Sequence, residues 1–304
     1  MSELAFIEWL RRRTPADPRV LVGPGDDTAV VRLVKDRPCL VTTDMLLDGS
    51  CFELAQAGPR RVGRKAMAVN LSDIAAMAGQ PVVAVVSVGL PRHHGLDLAQ
   101  QLDAGLREMA DAFNVAIAGG DTNSWNGPLV ISVTLLGEPT GRGPVLRRGA
   151  RPGDWLVTTG SFGGSILGKH LDFTPRVREA VLLHGLTELH AMIDVSDGLA
   201  ADVHHLCAES QCGAVLWAER IPISPAALQM KGDRSALEHA LGDGEDFELV
   251  FATTQAEAQR LTVTQPVPGV VLTAIGECVE SGLWITEYGI RRALPPLGYV
   301  HELQ

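Results

Sequence analysis

Apolar, β-branched runs that alternate with helix-type patterns are the feature that most restricts how this chain can fold. Eight runs predict strands, at 39–44, 82–90, 115–121, 129–137, 154–160, 213–218, 247–253 and 270–278. Seven stretches predict helices, at 3–13, 59–78, 97–113, 164–170, 175–190, 198–211 and 255–262. Alternation of this kind predicts an α/β or α+β protein.

Two domains fit the length of the chain better than one. The sequence has 304 residues, and the segment 137–154, which is rich in Gly, Pro and Arg, lies close to its midpoint. Both halves of the chain begin with predicted strands. We therefore expect one domain at 1–140 and a second at 141–304.

Charge and hydropathy argue against two classes of function. The net charge of −10 disfavours nucleic-acid binding as the main task. The longest apolar run, at 81–90, is about half as long as a membrane-spanning helix must be, so we interpret it as a buried strand. The expected partners are therefore small molecules, with neither nucleic acid nor a membrane among them.

The N-terminus and the cysteines favour a cytoplasmic location. An acidic residue precedes the apolar part of the N-terminus and basic residues follow it, which is the wrong order for a secretory signal. The five cysteines are Cys39, Cys51, Cys207, Cys212 and Cys278. They form no CxxC pair and their number is odd, which argues against a disulfide framework or a structural zinc site and for a reducing compartment.

Aspartates gather at predicted strand ends and turns, each beside small or hydroxylated residues. The acidic set comprises Asp26, Asp27, Asp44, Asp48, Asp73, Asp121, Asp194, Asp197, Asp243, Glu245 and Asp246. Taken singly, an aspartate beside glycine is more often a turn residue whose side chain caps local amides. Asp44 and Asp121, however, end strongly apolar strands, and Asp73 lies in an apolar predicted helix, where bulk water cannot be assumed.

Such a set of carboxylates indicates bound cations. Carboxylates in one partly buried site repel one another, and their pKa values rise unless cations neutralise them. Mg²⁺ prefers oxygen ligands and is usually held by one or two carboxylates, by water and by substrate phosphates. The adjacent pairs His93–His94 and His204–His205 do not form a softer metal site, because neighbouring side chains diverge. The sequence therefore predicts a phosphate site with several Mg²⁺ ions, in which Asp73 binds metal and Asn70 supports it.

A glycine-rich stretch after the fifth predicted strand nearly matches a phosphate-binding P-loop. It contains Gly163-x-x-x-x-Gly168-Lys169, but His170 stands where a P-loop has Ser or Thr, and the lysine falls inside the next predicted helix. We interpret this match as chance. The turn at 160–165 keeps two interpretations, contact with phosphate or close packing of two backbones.

Seven motifs occur in the order typical of the thiamine-monophosphate kinase family. They are GPGDDTAVV, TTDMLLDG, KAMAVNLSDIAAMAGQP, GGDT, RRGARPGDWLVTTG, IDVSDGLAAD and GEDFEL, and they span about residues 23 to 252. The chain therefore resembles that family, which belongs to the superfamily of the purine-synthesis cyclo-ligase, selenophosphate synthetase and a hydrogenase-maturation protein. The signatures of those other branches are absent from the sequence.

This resemblance implies a fold and a reaction. The fold would be the two-domain α/β (α+β) fold of the purine cyclo-ligase superfamily. Its N-terminal mixed sheet with helices (1–140) would bind ATP and Mg²⁺ and form a homodimer interface, and its C-terminal α/β domain (141–304) would complete the active site. The reaction would be direct in-line transfer of the γ-phosphoryl group of ATP to thiamine monophosphate, giving thiamine diphosphate, without a covalent nucleophile on the protein.

Motif by motif, the resemblance also implies three sets of site residues. The metal ligands would be Asp27, Thr42, Thr43, Asp44, Asp73, Asp121, Asp194 and Asp197. The ATP contacts would be Gly120, Asp121, Arg147 and Ser196, with Arg148 as an alternative to Arg147. The substrate contacts would be Cys51 and Glu245.

The sequence departs from the family pattern on the substrate side. Cys51 replaces a family His and is interpreted as a small apolar residue in a pocket wall, Asp243 replaces a Gly, Phe247 replaces a Tyr, and no Trp precedes Gly298. Two further hypotheses therefore stay open. One is an ATP-dependent kinase or ligase of the same superfamily that acts on another phosphorylated heterocycle, and the other is a non-catalytic protein that binds ATP or thiamine diphosphate.

Overall fold

The computed structural model of the chain describes residues 20–22, 26–34, 37–92 and 95–299. The helix predicted at 3–13 lies outside the described residues. The described residues form two mixed sheets with helices packed on them, which confirms the predicted α/β (α+β) class. Among these residues, none of the helices combines the length and the apolarity that crossing a bilayer needs.

The N-terminal sheet has six strands in the order β1-β2-β3-β6-β4-β5. Their bounds are β1 Val20–Val22, β2 Ala29–Val34, β3 Arg37–Leu47, β4 Gly79–Pro91, β5 Ala116–Trp125 and β6 Val130–Pro139. β4 and β5 are parallel, and the other neighbours are antiparallel. Burial alternates along β6, as a period of two predicts, so that Ile131, Val133 and Leu135 face the core.

Helix α2 packs against elements of both halves of the chain. Within the described part of the N-terminal half, the helices are α1 Leu54–Ala57, α2 Pro59–Ala76 and α3 Gly95–Ala112. α2 begins with a proline, which is favoured at the first helical position, and nearly all of its residues from Val62 onward are buried. It packs against β3, β6 and α3, and also against elements of the C-terminal half. A polar side chain on α2 is therefore held between the two halves.

The C-terminal sheet has seven strands in the order β13-β12-β9-β11-β7-β10-β8. Their bounds are β7 Asp154–Thr159, β8 Ala191–Asp194, β9 Gly213–Trp217, β10 Leu249–Thr254, β11 Leu272–Val279, β12 Leu283–Glu287 and β13 Ile290–Ala293. The pair β9–β12 is parallel and the other pairs are antiparallel. The helices are α4 Lys169–Asp172, α5 Val177–Leu186, α6 Leu199–Ser210, α7 Ala236–Gly242 and α8 Gln255–Thr264. Short 3-10 helices lie at Ser165–Leu167, Ala218–Arg220 and Ala227–Gln229.

All eight predicted strands are present, but two helix predictions were wrong in detail. The helix predicted at 164–170 is broken into a 3-10 turn and α4, because Gly164 and Gly168 adopt positive φ angles of 69° and 139°. The helix predicted at 175–190 ends at Leu186 and is followed by β8. β8 has four residues, all buried, which is too short a stretch to show a period in the sequence.

Candidate functional site

A cleft of about 780 Å³ opens between the two halves of the chain. Its walls come from β3, from α2, from the turn after β8, from α6 and from the loop that precedes β10. Most of the residues implied by the resemblance line it: Asp27, Thr42, Thr43, Asp44, Cys51, Asp73, Arg147, Asp194, Ser196, Asp197 and Glu245. Gly120 and Asp121 do not.

Three carboxylates converge at the floor of the cleft. Oxygen atoms of Asp27, Asp73 and Asp194 lie within 4.8 Å of one another, and each comes from a different part of the chain. Asp194 ends β8, where a buried strand runs into a turn, and its carboxylate accepts a 2.5 Å hydrogen bond from Ser72 on α2. The side chain of Asp27 is fully buried. Three aspartates that are distant in sequence thus share one small volume.

Strand β3 adds a fourth carboxylate to this centre. Alternation along the strand turns Thr42 and Asp44 to the same face. The hydroxyl of Thr42 donates to Asp73, and the carboxyls of Asp44 and Asp73 are in hydrogen-bonding contact. Asn70, expected to support Asp73, instead donates to the carbonyl of Ala66 in its own helix.

The intervening residue Thr43 faces the opposite side of the N-terminal sheet. Its hydroxyl donates to the carbonyl of Val133 at 3.1 Å and lies 3.0 Å from the hydroxyl of Thr134. The side chain of Thr43 is exposed on that face. Thr43 lines part of the cleft, but its hydroxyl is turned away from the carboxylates.

The electrostatics of the floor match a cation site. Burial raises the pKa of Asp44 to about 6, and burial with repulsion from Asp44, Asp194 and Asp27 raises the pKa of Asp73 well above its usual value. Burial and the neighbouring Asp27 likewise raise the pKa of Asp194. Carboxyls forced together in this way either share protons or bind a cation, and an all-oxygen set suits Mg²⁺. The residues present therefore fit the metal that the sequence predicts.

Arg147 is the arginine at the cleft. Its guanidinium donates two hydrogen bonds to the carboxylate of Asp27, from Nε at 2.8 Å and from Nη2 at 2.7 Å. Its backbone N–H lies 3.3 Å from both carboxylate oxygens of Asp26. Its carbonyl accepts a 2.8 Å hydrogen bond from the hydroxyl of Ser210 at the end of α6. Arg148 is exposed and does not line the cleft.

A second acidic group lies at the start of α6. Oxygen atoms of Asp197 and Asp202 and a ring nitrogen of His205 lie within 4.8 Å of one another. The Asp202 carboxylate accepts hydrogen bonds of 3.0 Å from the backbone N–H groups of Asp197 and Gly198, so it fixes the turn that carries Asp194 and Ser196. Asp202 is thus tied into the backbone as well as facing the cleft.

Lys65 is a cleft residue that sequence reasoning missed. It is 1% exposed, and its ammonium donates to the carbonyl of Cys51 at 2.7 Å and to the carboxylate of Glu245. The helical spacing could have revealed it, because Lys65, Val69 and Asp73 recur at intervals of four and share one face of α2. The cleft also contains His204, His205 and Tyr299, which were not predicted as site residues, and Asp26, which was predicted only as a member of the acidic set.

Glu245 points into the cleft because its loop has an unusual backbone. Glu245 and Phe247 adopt φ angles of 53° and 50°, in the left-handed region. The N–H of Glu245 donates to the carbonyl of Ser196 at 2.7 Å, and the ring of Phe247 stacks on Phe173 with centroids 4.0 Å apart. Between them, Asp246 turns away from the cleft and accepts a 2.9 Å hydrogen bond from the N–H of Gly163.

The P-loop-like lysine has an internal partner. Lys169 donates to the Glu248 carboxylate at 3.0 Å and to the carbonyl of Ser161 at 3.1 Å. Glu248 is also held by the guanidinium of Arg176, with two hydrogen bonds of 2.7 and 2.8 Å. This buried network anchors the base of the loop that carries Glu245.

Gly120 and Asp121 lie on β5, at the edge of the N-terminal sheet. β5 is separated from β3 by two strands, so the two are roughly 14 Å apart at the usual strand spacing. The register places Asp121 opposite Ser87, then Ser132, then Met45, in one row across the sheet. Within a single chain, Asp121 is therefore separated from the carboxylates of the cleft.

Known proteins resemble both halves of this chain. Residues 25–138 match the family described as AIR synthase related protein, N-terminal domain. A thiamine-monophosphate kinase of Rhodopirellula baltica is 43% identical, with 98% of this chain and 97% of the relative covered. A thiamine-monophosphate kinase of Methanospirillum hungatei is 38% identical, with 91% of this chain and 93% of the relative covered.

Solved structures share the fold. AaThiL complexed with AMPPCP and TMP superposes with a TM-score of 0.84 at 27% identity, covering 99% of this chain and 97% of that one. The hydrogenase maturation protein HypE of Escherichia coli superposes with a TM-score of 0.70 at 21% identity, covering 96% of both chains. At this identity, the similarity to HypE shows a shared fold and carries no conclusion about function.

Proposed function

The chain belongs to the thiamine-monophosphate kinase family, and from this premise we infer that it phosphorylates thiamine monophosphate at the expense of ATP, giving thiamine diphosphate. The observation that carries this proposal is the cluster of Asp27, Asp73 and Asp194 in a cleft between the two halves. A relative of known structure binds AMPPCP and TMP, and its fold covers nearly all of this chain. Both substrates are anions, so a kinase that brings them together needs positive charge in its active site to offset their repulsion.

Asp27, Asp44, Asp73 and Asp194, with the hydroxyl of Thr42, are the residues that would hold Mg²⁺. When bound, Mg²⁺ would neutralise the charge of the phosphate groups and of the aspartates around them. The oxygen atoms of these aspartates and of Thr42 come from separate elements whose positions are fixed by packing, so the site is preorganised for the metal. Thr42 and Ser72 support the floor by donating hydrogen bonds to Asp73 and Asp194.

The protein's own cations would orient the two phosphates. Arg147 offers a planar guanidinium, which suits recognition of a phosphate group, and its position is fixed by Asp27 and Ser210. Lys65 and Glu245 lie on the acceptor side of the proposed arrangement, beside Cys51. The acceptor is already an anionic phosphate oxygen, so in-line transfer requires alignment more than it requires a general base.

A homodimer is part of the proposal, because one face of the N-terminal sheet is exposed and partly apolar. Met45 is 60% exposed and Val85 is 41% exposed on this face, in adjoining rows that also contain Thr43 and Asp121. A second copy joined through the N-terminal strands would cover these side chains and bring Gly120 and Asp121 near a neighbouring cleft.

The oligomer is tested by Val85→Glu, with Val263→Glu as the matched control. Val263 is 82% exposed on α8, in the other half of the molecule. Sedimentation velocity of the wild type and the control should give a dimer, and Val85→Glu should give a monomer. A monomeric wild type would refute this part of the proposal.

The catalytic proposal is tested by product chromatography. The purified protein is incubated with ATP, Mg²⁺ and thiamine monophosphate, in parallel with Asp73→Asn. Thiamine diphosphate formed by the wild type and lost in the variant is the expected result. Consumption of ATP without thiamine diphosphate would refute the acceptor and direct the search to other phosphorylated heterocycles, whereas ATP binding without turnover would refute the kinase.

A further inference from the structure

Three of the five cysteines meet at the C-terminal end of α6, and none of the three lines the cleft. Cys207 lies in the last turns of α6, Cys212 follows the helix, and Cys278 lies on β11. Cys212 packs against the core cluster that contains both Cys207 and Cys278. Cys212 is partly exposed, whereas Cys207 and Cys278 are only 4% and 2% exposed. The fold therefore presents one accessible thiol backed by two buried ones.

The helix cap fixes the contact between Cys207 and Cys212. Gln211 adopts the left-handed conformation, with φ 56° and ψ 40°. The N–H of Cys212 donates to the carbonyl of Cys207 at 3.0 Å, which is the long-range hydrogen bond of a Schellman cap. This cap brings the side chains of the two residues together, because both flank the same reversed turn.

Backbone geometry distinguishes the two buried thiols as partners of Cys212. In the β9–β11 ladder, Cys278 lies opposite Ala214, so Cys212 is its diagonal neighbour. Diagonal neighbours have Cα atoms roughly 7–8 Å apart, beyond the range of about 4.4–6.8 Å usual for a disulfide. Cys207 and Cys212, in contrast, are joined by a backbone hydrogen bond, so the chain already holds these two residues close together.

We propose that Cys207 and Cys212 form a reversible oxidation site, at which a hydroperoxide converts the two thiols into one disulfide. The thiolate sulfur of Cys212 attacks the terminal oxygen of the hydroperoxide, the O–O bond breaks, and the other oxygen takes up a proton and leaves as water, or as an alcohol if the hydroperoxide is organic, while Cys212 becomes a sulfenic acid. The sulfur of Cys207 then attacks the sulfenic sulfur, the S–S bond forms as the S–O bond breaks, and the second oxygen leaves as water with the proton of the Cys207 thiol. The two thiols lose two electrons in total, and the peroxide gains them.

The surroundings of Cys212 favour the first step. Hydrogen bonds from Cys207 and Cys278 lower the pKa of the Cys212 thiol, which increases its thiolate fraction. Contact with Cys212 and burial raise the pKa of Cys207, which favours the protonated thiol of the buried partner. A partly exposed thiol of low pKa next to a resolving thiol is the arrangement found at redox-sensitive cysteines.

Peptide mapping of the oxidised full chain tests the proposal without using kinase activity, so it does not depend on the proposed function. Trypsin leaves Cys207 and Cys212 in one peptide, residues 179–220, and Cys278 in another, residues 261–291. After limiting hydrogen peroxide and alkylation of the remaining thiols, peptide 179–220 should lose the mass of two hydrogens and take up no alkyl group. Cleavage after Glu209 should give fragments that stay joined until they are reduced.

Single variants identify the thiols that react. Cys212→Ser should abolish the disulfide, and Cys278→Ser, the matched control, should keep it. Cys207→Ser should stop at a sulfenic acid that dimedone traps on Cys212. Peptide 179–220 alkylated on both cysteines while Cys39 or Cys51 is oxidised would overturn the proposal, as would a cross-link between peptides 179–220 and 261–291. The map of the wild type gives the answer even where a variant fails to fold.

Discussion

The ammonium of Lys65 binds the carboxylate of Glu245, which lies 180 positions later in the chain. The pair joins α2 of the N-terminal half to the left-handed loop of the C-terminal half, on one wall of the cleft. Its members are buried unequally, with side-chain exposures of 1% for Lys65 and 36% for Glu245. Because the two partners are buried unequally, replacing one or the other should lower the free energy of unfolding by different amounts.

Removing Glu245 should destabilise the protein more than removing Lys65. Glu245→Ala leaves a buried ammonium that still donates to the Cys51 carbonyl, and a buried charge left without its counterion costs about 3–5 kcal/mol. Lys65→Met leaves a carboxylate that water reaches, for which we expect about 1 kcal/mol. Urea unfolding of the three proteins measures the difference. Equal losses in the two variants would show that Lys65 is solvated in solution.

Arg147 and Arg148 should differ sharply when each is replaced by alanine. Arg147→Ala leaves the fully buried carboxylate of Asp27 without its guanidinium, so without Mg²⁺ we expect a loss of about 3–5 kcal/mol in the free energy of unfolding. Arg148 is exposed, and its replacement should change that free energy by less than about 0.5 kcal/mol. The KM for ATP should rise in the first variant alone. Similar KM values in both variants would assign the phosphate contact elsewhere.

Asp73→Asn should separate metal binding from folding. Asp73 is crowded by other carboxylates, so removing its charge should leave the melting temperature without Mg²⁺ at or above that of the wild type. Added Mg²⁺ should then stabilise the wild type, by about 2.7 kcal/mol at 100 times its Kd, and leave the variant unchanged. Asp111→Asn, an exposed change on α3, should respond as the wild type does. A variant that gains stability from Mg²⁺ to the same extent would place the ion elsewhere.

Asp246 should give the protein a pH-dependent stability. Burial raises the pKa of Asp246 to about 7, and its Oδ1 is buried without a hydrogen-bond partner. The folded state then holds a proton that the unfolded state has released, so the free energy of unfolding falls as pH rises from about 4 through about 7. The slope from this group is at most about 1.4 kcal/mol per pH unit.

Asp246→Asn keeps an acceptor for the Gly163 N–H and removes the ionisation. The gap in unfolding free energy between variant and wild type should therefore widen in favour of the variant from about pH 5 to about pH 8. Denaturant titrations at a series of pH values measure this gap. A gap that stays constant would mean that Asp246 is ionised throughout the range.

The parts of the fold that could be predicted are those with a strong period or a strong apolar run. Strand β6 was readable because burial alternates along it at the interval that its side-chain pattern displays. Helix α2 was readable because it is a long run of small and apolar residues, nearly all of them buried. The four residues of β8 were not readable, since so short a strand shows no period. The break before α4 depends on the positive φ of two glycines, which the helix pattern around them conceals.

The candidate site was predictable in its residue types more than in its geometry. The motifs gave Asp27, Asp73 and Asp194, which the structure brings together. Lys65 opens one of these motifs and shares a helix face with Asp73, but nothing in the motifs indicates its partner, a residue from the other half of the chain. The motifs also could not reveal that Asp121 lies on the far edge of the sheet, because strand order is decided by long-range pairing.

The enclosure of α2 has a thermodynamic consequence. One apolar cluster contains Leu71 and Ile74 of this helix together with Leu183 and Phe251 from the other half. A fragment ending within 140–153 would leave that helix with an uncovered flank, so the N-terminal half lacks a complete interior of its own, whereas a second cluster lies wholly within the C-terminal half. The chain should therefore melt in a single cooperative transition, and its halves should not be exchangeable as modules by recombination between distant relatives.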